Sequence, residues 1–519
     1  MKTYMTVPIS ASTLSQADEQ ARSAVSRGAQ MLELRTDYLE GLDVERSQTL
    51  IEQVRACVGV DVPLIVTCRD EREGGARPCA DDLRTEVLVR AIQAGVAYVD
   101  VEFDNFRTST VREPLLQALS THEATRLILS AHDFERPFSN LAGLCRDMRL
   151  SCPTAIPKLA YMARHINECF AAFDLLHDED EDLICLCMGQ AGLISRILAP
   201  KLGSLVAFVS LDDAAATAPG QLTIEQALTQ YRCAELNPDT ELFGVIADPV
   251  GHSMSPALHN GCFADQEMNR LYLPLWVAGG QDELSQFLDN LCQRDWLHAQ
   301  GFSVTIPHKQ HSLDYVRQTQ GGVEPLVQKI GATNTLIRNE RGGFDAFNTD
   351  YCGAMNAIYT SLGTCAAQMK GVKTALIGAG GVARAIGAGL VDVGAEVTIY
   401  NRTVTKAETL AGELGCQWAG LDALEDLACS LLVNCTSIGM SPKTEATPVP
   451  APYLQSDMTV FDTVYNPLET QLLQQARACG AKTIDGVSMF VGQAMAQFKM
   501  FTGVQGNATL MRSVVLGNL

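Results

Sequence analysis

Three residues set in apolar or helical company suggest chemistry first: Lys158 in AIPKLAYMA, His132 in LILSAHDF and Arg196 in MGQAGLISR. Desolvation or a nearby cation lowers a lysine pKa, and the neutral amine that results attacks carbonyls. A protonated imine then withdraws electrons from the neighbouring carbon. An imidazole, ordinarily titrating near ~6.5, takes and returns protons. Glu33 and Glu73, read as strand-end carboxylates, could orient that imidazole or hold substrate hydroxyls. Arg196, read at the start of a helix, could grip a carboxylate bidentately. Singly, each has a plain structural reading as a rim lysine, a satisfied core histidine or a helix-surface charge. Their joint placement favours catalysis.

A second group lies downstream. Gly378-Ala379-Gly380-Gly381-Val382-Ala383 follows an apolar run and opens a helical pattern. Glycines there let backbone N–H groups and a helix N-terminus approach a pyrophosphate, although a bare strand–helix turn would look alike. Asn401-Arg402-Thr403 ends the next run, where an NAD enzyme usually has an acidic residue; arginine and hydroxyl suit the 2′-phosphate of NADP(H). Ser253 and Ser255 offer two hydroxyls before a helix with Pro256 near its first position, and either also suits a helix cap. Lys309 and Asp350 supply an ammonium and a carboxylate. Carbonyl reduction needs such a donor where an alkoxide develops.

The elements that must position these residues follow from the pattern. Apolar runs at 3–9, 31–35, 63–69, 97–103, 126–132, 154–159, 182–188 and 204–210 alternate with helical patterns such as 13–27, 81–94, 163–176 and 221–233. Eight such units predict an α/β fold, a (β/α)8 TIM barrel, with an open doubly wound sheet as the alternative. A barrel demands chemistry at the C-terminal ends of its strands. Glu33, Arg35, Arg69, Glu102, His132 and Lys158 end successive runs. Residues 234–241 read as a linker. The strand–turn–helix–strand at 373–403 reads as a Rossmann NADP-binding domain.

Composition limits the classes. With 519 residues, 47% hydrophobic and 19% charged, the chain predicts several packed domains. A net charge of -21 argues against nucleic acid and anionic membranes. No apolar run reaches the ~18 residues of a membrane span, and the N-terminus has neither signal nor transit character. The 17 cysteines are scattered without metal spacing, so reduced thiols, no metal and a soluble cytoplasmic protein are expected. Plastid location stays open for a chain shorn of a transit peptide. Cys185 and Cys187 read as buried apolar residues.

The motifs MLELRTD, VTCRDEREGG, SAHDF, IPKLA, MGQAGLISR and TAPGQLTI, ordered across residues 1–230, resemble type I 3-dehydroquinate dehydratase. The resemblance implies an imine between Lys158 and the C3 ketone of 3-dehydroquinate. It makes His132 the acid/base for loss of water across C1–C2, with Glu73 orienting it. Glu33, Arg35, Arg69, Arg196, Thr217 and Gln221 would line the substrate site, and Glu102 stays unassigned.

From 241 to 519, GVIADPVGHSMSPALHN, GFSVTIPHK, GATNT, NTDYCG, IGAGGVARA, YNRT, NCTSIGM, DTVYNPLET and DGVSMFVGQ resemble shikimate dehydrogenase. That implies Ser253 and Ser255 on the substrate carboxylate, and Thr305, Asn334, Asp350 and Gln493 on ring hydroxyls. Tyr465 would face the substrate, and Lys309 would move a proton beside Asp350. Gly378, Ala379, Gly380, Gly381, Val382, Ala383, Asn401, Arg402, Thr403 and Thr436 would bind NADP(H). The implied domains are 1–233, the linker 234–241, a substrate domain 242–350, a nucleotide domain 351–488, and 489–519 returning to the substrate domain.

The two implied reactions are consecutive, from 3-dehydroquinate through 3-dehydroshikimate to shikimate, as in the fused dehydratase–dehydrogenases. Small-molecule substrates and a monomer or weak homo-oligomer are expected. A quinate dehydrogenase second half, and more remotely a non-catalytic metabolite-binding regulator, are the rivals.

Overall fold

The alternating runs fold as strands: β1 (Tyr4–Ile9), β2 (Met31–Arg35), β3 (Leu64–Thr67), β4 (Tyr98–Glu102), β5 (Arg126–Asp133), β6 (Ile156–Met162), β7 (Ile184–Met188) and β8 (Val206–Phe208). The computed structural model describes residues 2–519 except 213, 215, 216 and 252. Contacts divide it into two units. One takes 1–241 with two short segments, Leu275–Ala278 and Trp296–His298, and the other takes the rest.

In the first unit all eight strands are parallel and lie in sequence order, with β1 between β2 and β8. This is the expected barrel and excludes the doubly wound alternative, whose strand order would reverse. The β7/β8 seam carries no regular ladder; Leu205 N–H reaches Leu183 O at 2.9 Å. Met31, Ile65, Ile128, Ile156, Ile184 and Val206 form an apolar layer across the interior. Side chains alternate along a strand, so the residues two positions on also point inward. That rule puts Glu33, Asp100, Ser130 and Lys158 in one polar layer.

Three expectations need correction. Lys158 does not end its strand, because β6 runs on to Met162. Arg196 lies in the last turn of the helix Gly189–Ile197, not at its start. The helical pattern at 221–233 yields only a short π-type turn, Gln226–Gln230. There the Ser210–Thr223 bridge holds the chain extended, and left-handed Arg232 (φ 50°) ends the turn.

The second unit has two sheets. β9 (Glu241–Ala247), β10 (Arg270–Trp276), β11 (Ala299–Val304), β12 (Thr335–Arg338) and β13 (Phe344–Phe347) form one, ordered β10-β9-β11-β12-β13. β14 (Lys373–Ile377), β15 (Glu396–Asn401), β16 (Gln417–Gly420), β17 (Leu431–Asn434), β18 (Thr459–Asp462) and β19 (Lys482–Ile484) form a parallel sheet, ordered β16-β15-β14-β17-β18-β19. The order reverses beside β14, the switch point at which such sheets bind nucleotides.

The helices Thr349–Leu362 and Gly486–Thr502 run through the expected divisions at 350 and 488. They pack closely at Gly353, where a Cβ would come within 2.6 Å of Gln493 N. No described helix is long and apolar enough to cross a membrane.

Candidate active sites

The barrel cavity gathers Glu33, Arg35, Arg69, Glu73, His132, Lys158, Arg196, Thr217 and Gln221, which is every barrel residue singled out above except the unassigned Glu102. Lys158 is 5% exposed, yet its company is not apolar. Its Nζ donates to Asp100 Oδ2 at 2.8 Å, lies 3.5 Å from Glu33 Oε1, and sits over the Phe208 ring. Packing residues flank Lys158 along the strand, but carboxylates from β2 and β4 meet it across the barrel.

His132, near the end of β5, faces Glu73 on the turn Glu71–Glu73. Glu73 is thus on a turn after β3, not at a strand end. Its Oε2 accepts from His132 Nδ1 at 3.0 Å and from the His132 backbone N–H at 2.9 Å. Left-handed Gly74 (φ 86°) closes the turn, and a Cβ there would lie 2.6 Å from the Phe134 ring. Phe134 in turn stacks on His132. Burial, with Arg69 and Lys158 adding to it, holds the His132 imidazole well below its usual range. Burial pushes the Glu73 carboxyl up to about 8, against the pull of Arg69. A neutral imidazole is the form that removes a proton.

Arg69 donates to Glu102 Oε1 at 2.8 Å and pairs with Asp100 at 3.0 Å. Glu102 also accepts from Arg84, Asn105 and the Asp70 N–H, so it braces this wall from behind. Arg35 is committed to Asp37 through two hydrogen bonds. Arg196 is different: it is 5% exposed, and its Nε and Nη2 have no hydrogen-bond partner among the described residues. Burial draws its guanidinium down to about 10. Two unpaired donors on a buried cation facing the cavity fit an anionic group, most simply a carboxylate. Thr217 and Gln221 hydrogen-bond each other at the rim.

The cavity of the second unit collects Ser253, Ser255, Thr305, Lys309, Asn334, Asp350, Tyr465 and Gln493. Lys309 and Asp350 each stand in the first turn of a helix, Lys309–Gln318 and Thr349–Leu362. Lys309 Nζ meets Asp350 Oδ2 at 2.5 Å, and Asn334 Nδ2 donates to Asp350 Oδ1 at 2.9 Å. Ser255 opens the helix Ser255–Asp265, its N–H on Ser253 Oγ at 3.3 Å.

Residues not singled out from the sequence complete this wall. Tyr272 Oη donates to Ser303 Oγ, Ser303 to Gln497 Oε1, and Gln497 Nε2 to Asn334 O and Thr335 Oγ1. Gln497 lies one helical turn beyond Gln493, and Ser303 lies two residues before Thr305. These spacings could have revealed both.

Beside this cavity, Gly378 turns left-handed after β14 (φ 114°), and a Cβ there would approach Thr436 Cγ2 to 2.9 Å. A Cβ on Gly380 or Gly381 would meet nothing, so open space faces the start of the helix Gly381–Asp392. That opening and N-terminus fit a dinucleotide pyrophosphate. Val382 also lines the cavity of the second unit, whereas Ala383 is buried in the core. Arg402 and Thr403 are exposed after β15, where Asn401 Nδ2 donates to Thr403 O at 2.9 Å. Thr436 Oγ1 donates to Asn434 Oδ1 at 2.7 Å. Among the described residues no group of three or more His, Cys, Asp or Glu side chains could hold a metal ion.

Comparison with known proteins agrees in both units. The family described as type I 3-dehydroquinase matches residues 5–238. Shikimate dehydrogenase substrate binding domain matches 245–336, Shikimate / quinate 5-dehydrogenase 362–439, and Shikimate 5'-dehydrogenase C-terminal domain 486–516. The chain is 33% identical to a chloroplastic bifunctional 3-dehydroquinate dehydratase/shikimate dehydrogenase of Arabidopsis thaliana, over 96% of this chain and 81% of that one. It is 38% identical to a shikimate dehydrogenase (NADP(+)) of Methanosarcina acetivorans, over 53% of this chain and 97% of the other. A Thermus thermophilus shikimate 5-dehydrogenase structure with NADP(H) and shikimate is 31% identical, covering 54% of this chain and 100% of that one, with a TM-score of 0.47.

Proposed function

The chain belongs to the family of fused type I 3-dehydroquinate dehydratase–shikimate dehydrogenases, and from that premise we propose how its residues divide the work. It is a bifunctional enzyme of the shikimate pathway that dehydrates 3-dehydroquinate to 3-dehydroshikimate and reduces that ketone with NADPH to shikimate.

In the barrel, the Lys158 amine adds to the C3 carbonyl; overall the lysine ammonium gives two protons to the ketone oxygen, which leaves as water, and keeps the third on a protonated imine. Neutral His132 removes a proton from C2, and electrons pass into the imine. His132 returns that proton to the C1 hydroxyl, which departs as water, and hydrolysis frees Lys158 and the product. Glu73 holds the ring by Nδ1 so that Nε2 faces the substrate. Arg196 takes the substrate carboxylate, while Glu33, Arg35, Arg69, Thr217 and Gln221 surround the ring. The observation that carries this assignment is Arg196, a buried guanidinium with two unpaired donors in the cavity that holds Lys158 and His132–Glu73.

In the second unit, Ser253 and Ser255 hold the carboxylate. Thr305, Asn334, Asp350, Tyr465 and Gln493 fix the ring. Residues 378–383, 401–403 and Thr436 would hold NADPH, which when bound would supply the hydride. Lys309, steered by Asp350, gives the ketone oxygen its proton. Domains 242–350 and 489–519 form the substrate lobe and 351–488 the nucleotide lobe. We place the enzyme in a reducing cytoplasm, or a plastid like that of its plant relative, as a monomer or weak homo-oligomer.

Borohydride added with 3-dehydroquinate tests the assignment. A reduced adduct on Lys158, located by peptide mass, is expected; a wild-type chain that forms none overturns it.

A further inference from the structure

Several buried carboxylates, among them Asp37, Asp70, Asp462 and Asp100, have no role above, and Asp100 is the one that touches Lys158. Asp100 is 1% exposed in the middle of β4 and lies behind the cavity wall, outside the residues that line it. Both of its oxygens are held. Oδ2 accepts from Lys158 Nζ at 2.8 Å, and Oδ1 accepts from Ser130 Oγ at 2.7 Å and pairs with Arg69 Nη2 at 3.0 Å. Arg69 Nη1 also donates to Ser130 Oγ at 2.6 Å, which closes the ring of contacts. Burial alone would raise the Asp100 carboxyl, but Arg69 and Lys158 outweigh it and keep the group far below the usual carboxylate range.

Glu33 is a different neighbour. It lies 3.5 Å from Nζ, lines the cavity and already accepts from Thr67 Oγ1 at 2.8 Å. Asp100 therefore meets the lysine at the shorter distance and from outside the lining of the cavity.

Resting on the Schiff-base reading above, we propose that Asp100 is the positioning residue and fixed counter-ion of Lys158. It aims Nζ into the cavity and balances the charge of the protonated imine. Overall the Lys158 ammonium and the ketone give the imine and water: two of the three protons on nitrogen leave with the ketone oxygen, and the third stays as the N–H of the positively charged imine. Asp100 Oδ2 is the acceptor placed for that N–H. Asp100 stays ionised throughout and moves no proton, so it acts only through Lys158. The charged and titratable groups around the cavity that holds Nζ are Glu33 on β2, Arg35 at its end, Arg69 and Glu73 after β3, Asp100 on β4, His132 on β5 and Arg196 beyond β7. Of these, only Asp100 pairs an ionised oxygen with Nζ below 3 Å.

Asp100→Asn in the full chain keeps the shape and removes the charge. NADPH-dependent reduction of 3-dehydroshikimate by the same polypeptide reports whether it folds. The expected result is a dehydration kcat lowered tenfold or more with a smaller change in KM. The rate of borohydride-trapped adduct formation should shift to lower pH, because the ammonium has lost its partner. An Asn variant whose kcat and trapping profile match the wild type overturns the proposal. Should that variant lack reductase activity, Ser130→Ala, which frees only one hold on Asp100, must move the trapping profile the same way by less; an unmoved profile overturns it. Absence of any adduct in the wild type would instead strike the Schiff-base reading itself.

Discussion

One oxygen of Glu73 accepts both the ring Nδ1 of His132, at 3.0 Å, and the His132 backbone N–H, at 2.9 Å. The carboxylate thus fixes the ring and the strand that carries it together, and Nε2 is left for the substrate. A partner that fixes the working orientation of an imidazole contributes through geometry, as in other acid/base pairs. His132→Ala should lower dehydration by about 10²–10⁴-fold, with reduction of 3-dehydroshikimate unchanged in the same sample. Equal loss of both activities would point to misfolding and away from the assigned role.

The raised Glu73 carboxyl gives a pH signature. Its folded value of about 8 exceeds the unfolded ~4.3, so the native state holds the extra proton between those limits. The stability from this group is full below the unfolded value and is lost as pH rises through about 8. Glu73→Gln should remove that loss, so that its Tm relative to wild type climbs on going from acid to alkaline buffer. Its dehydration rate should fall and lose the limb near 8. Thermal melts and rate profiles across pH check both statements; an unchanged limb contradicts the assignment.

Arg196 is a buried cation whose Nε and Nη2 have no partner among the described residues, and such groups cost stability until a ligand satisfies them. Arg196→Met should raise the stability of the free protein by about 1–3 kcal/mol while sharply raising KM for 3-dehydroquinate. Denaturant melts and steady-state kinetics read the two effects. A less stable Met variant would contradict the reading of this site as one that takes an anion.

In the second unit, Lys309→Ala and Asp350→Asn should each lower reduction by about 10²–10⁴-fold and leave dehydration intact. Because the two side chains touch at 2.5 Å, the double variant should lose less than the product of the single losses. Strictly multiplicative losses would show that they act separately.

Under the proposed reading, Arg402 sets the cofactor preference. Arg402→Ala should raise KM for NADPH by about 10–100-fold, the value of one charge-assisted hydrogen bond, and leave KM for NADH nearly unchanged. Parallel rises for both cofactors would place Arg402 away from the 2′-phosphate.

Much of this was legible in the sequence, for identifiable reasons. Each barrel strand is buried on both faces, so the eight apolar runs stood out, and charged residues inside such runs marked the cavity. Asp100 escaped although it shares a strand face with Glu102, two residues on; the alternation rule would have found it. The environment of Lys158 was misread because sequence neighbours describe the strand, whereas the side chain is met by β2 and β4 across the barrel. Gln497 was missed for a similar reason: its partners Ser303 and Asn334 lie more than 160 residues away. The short turn at 226–230 replaced a longer helix because a tertiary bridge at Thr223 overrode local propensity.

The central claim is that one chain carries 3-dehydroquinate through to shikimate. Supplying the purified protein with 3-dehydroquinate and NADPH, and following NADPH loss with chromatographic identification of the product, tests it most directly. Shikimate should form in step with NADPH oxidation, and Lys158→Ala should abolish this flux while still reducing added 3-dehydroshikimate. Quinate as the product, or NADPH oxidation that survives loss of Lys158, would contradict the account.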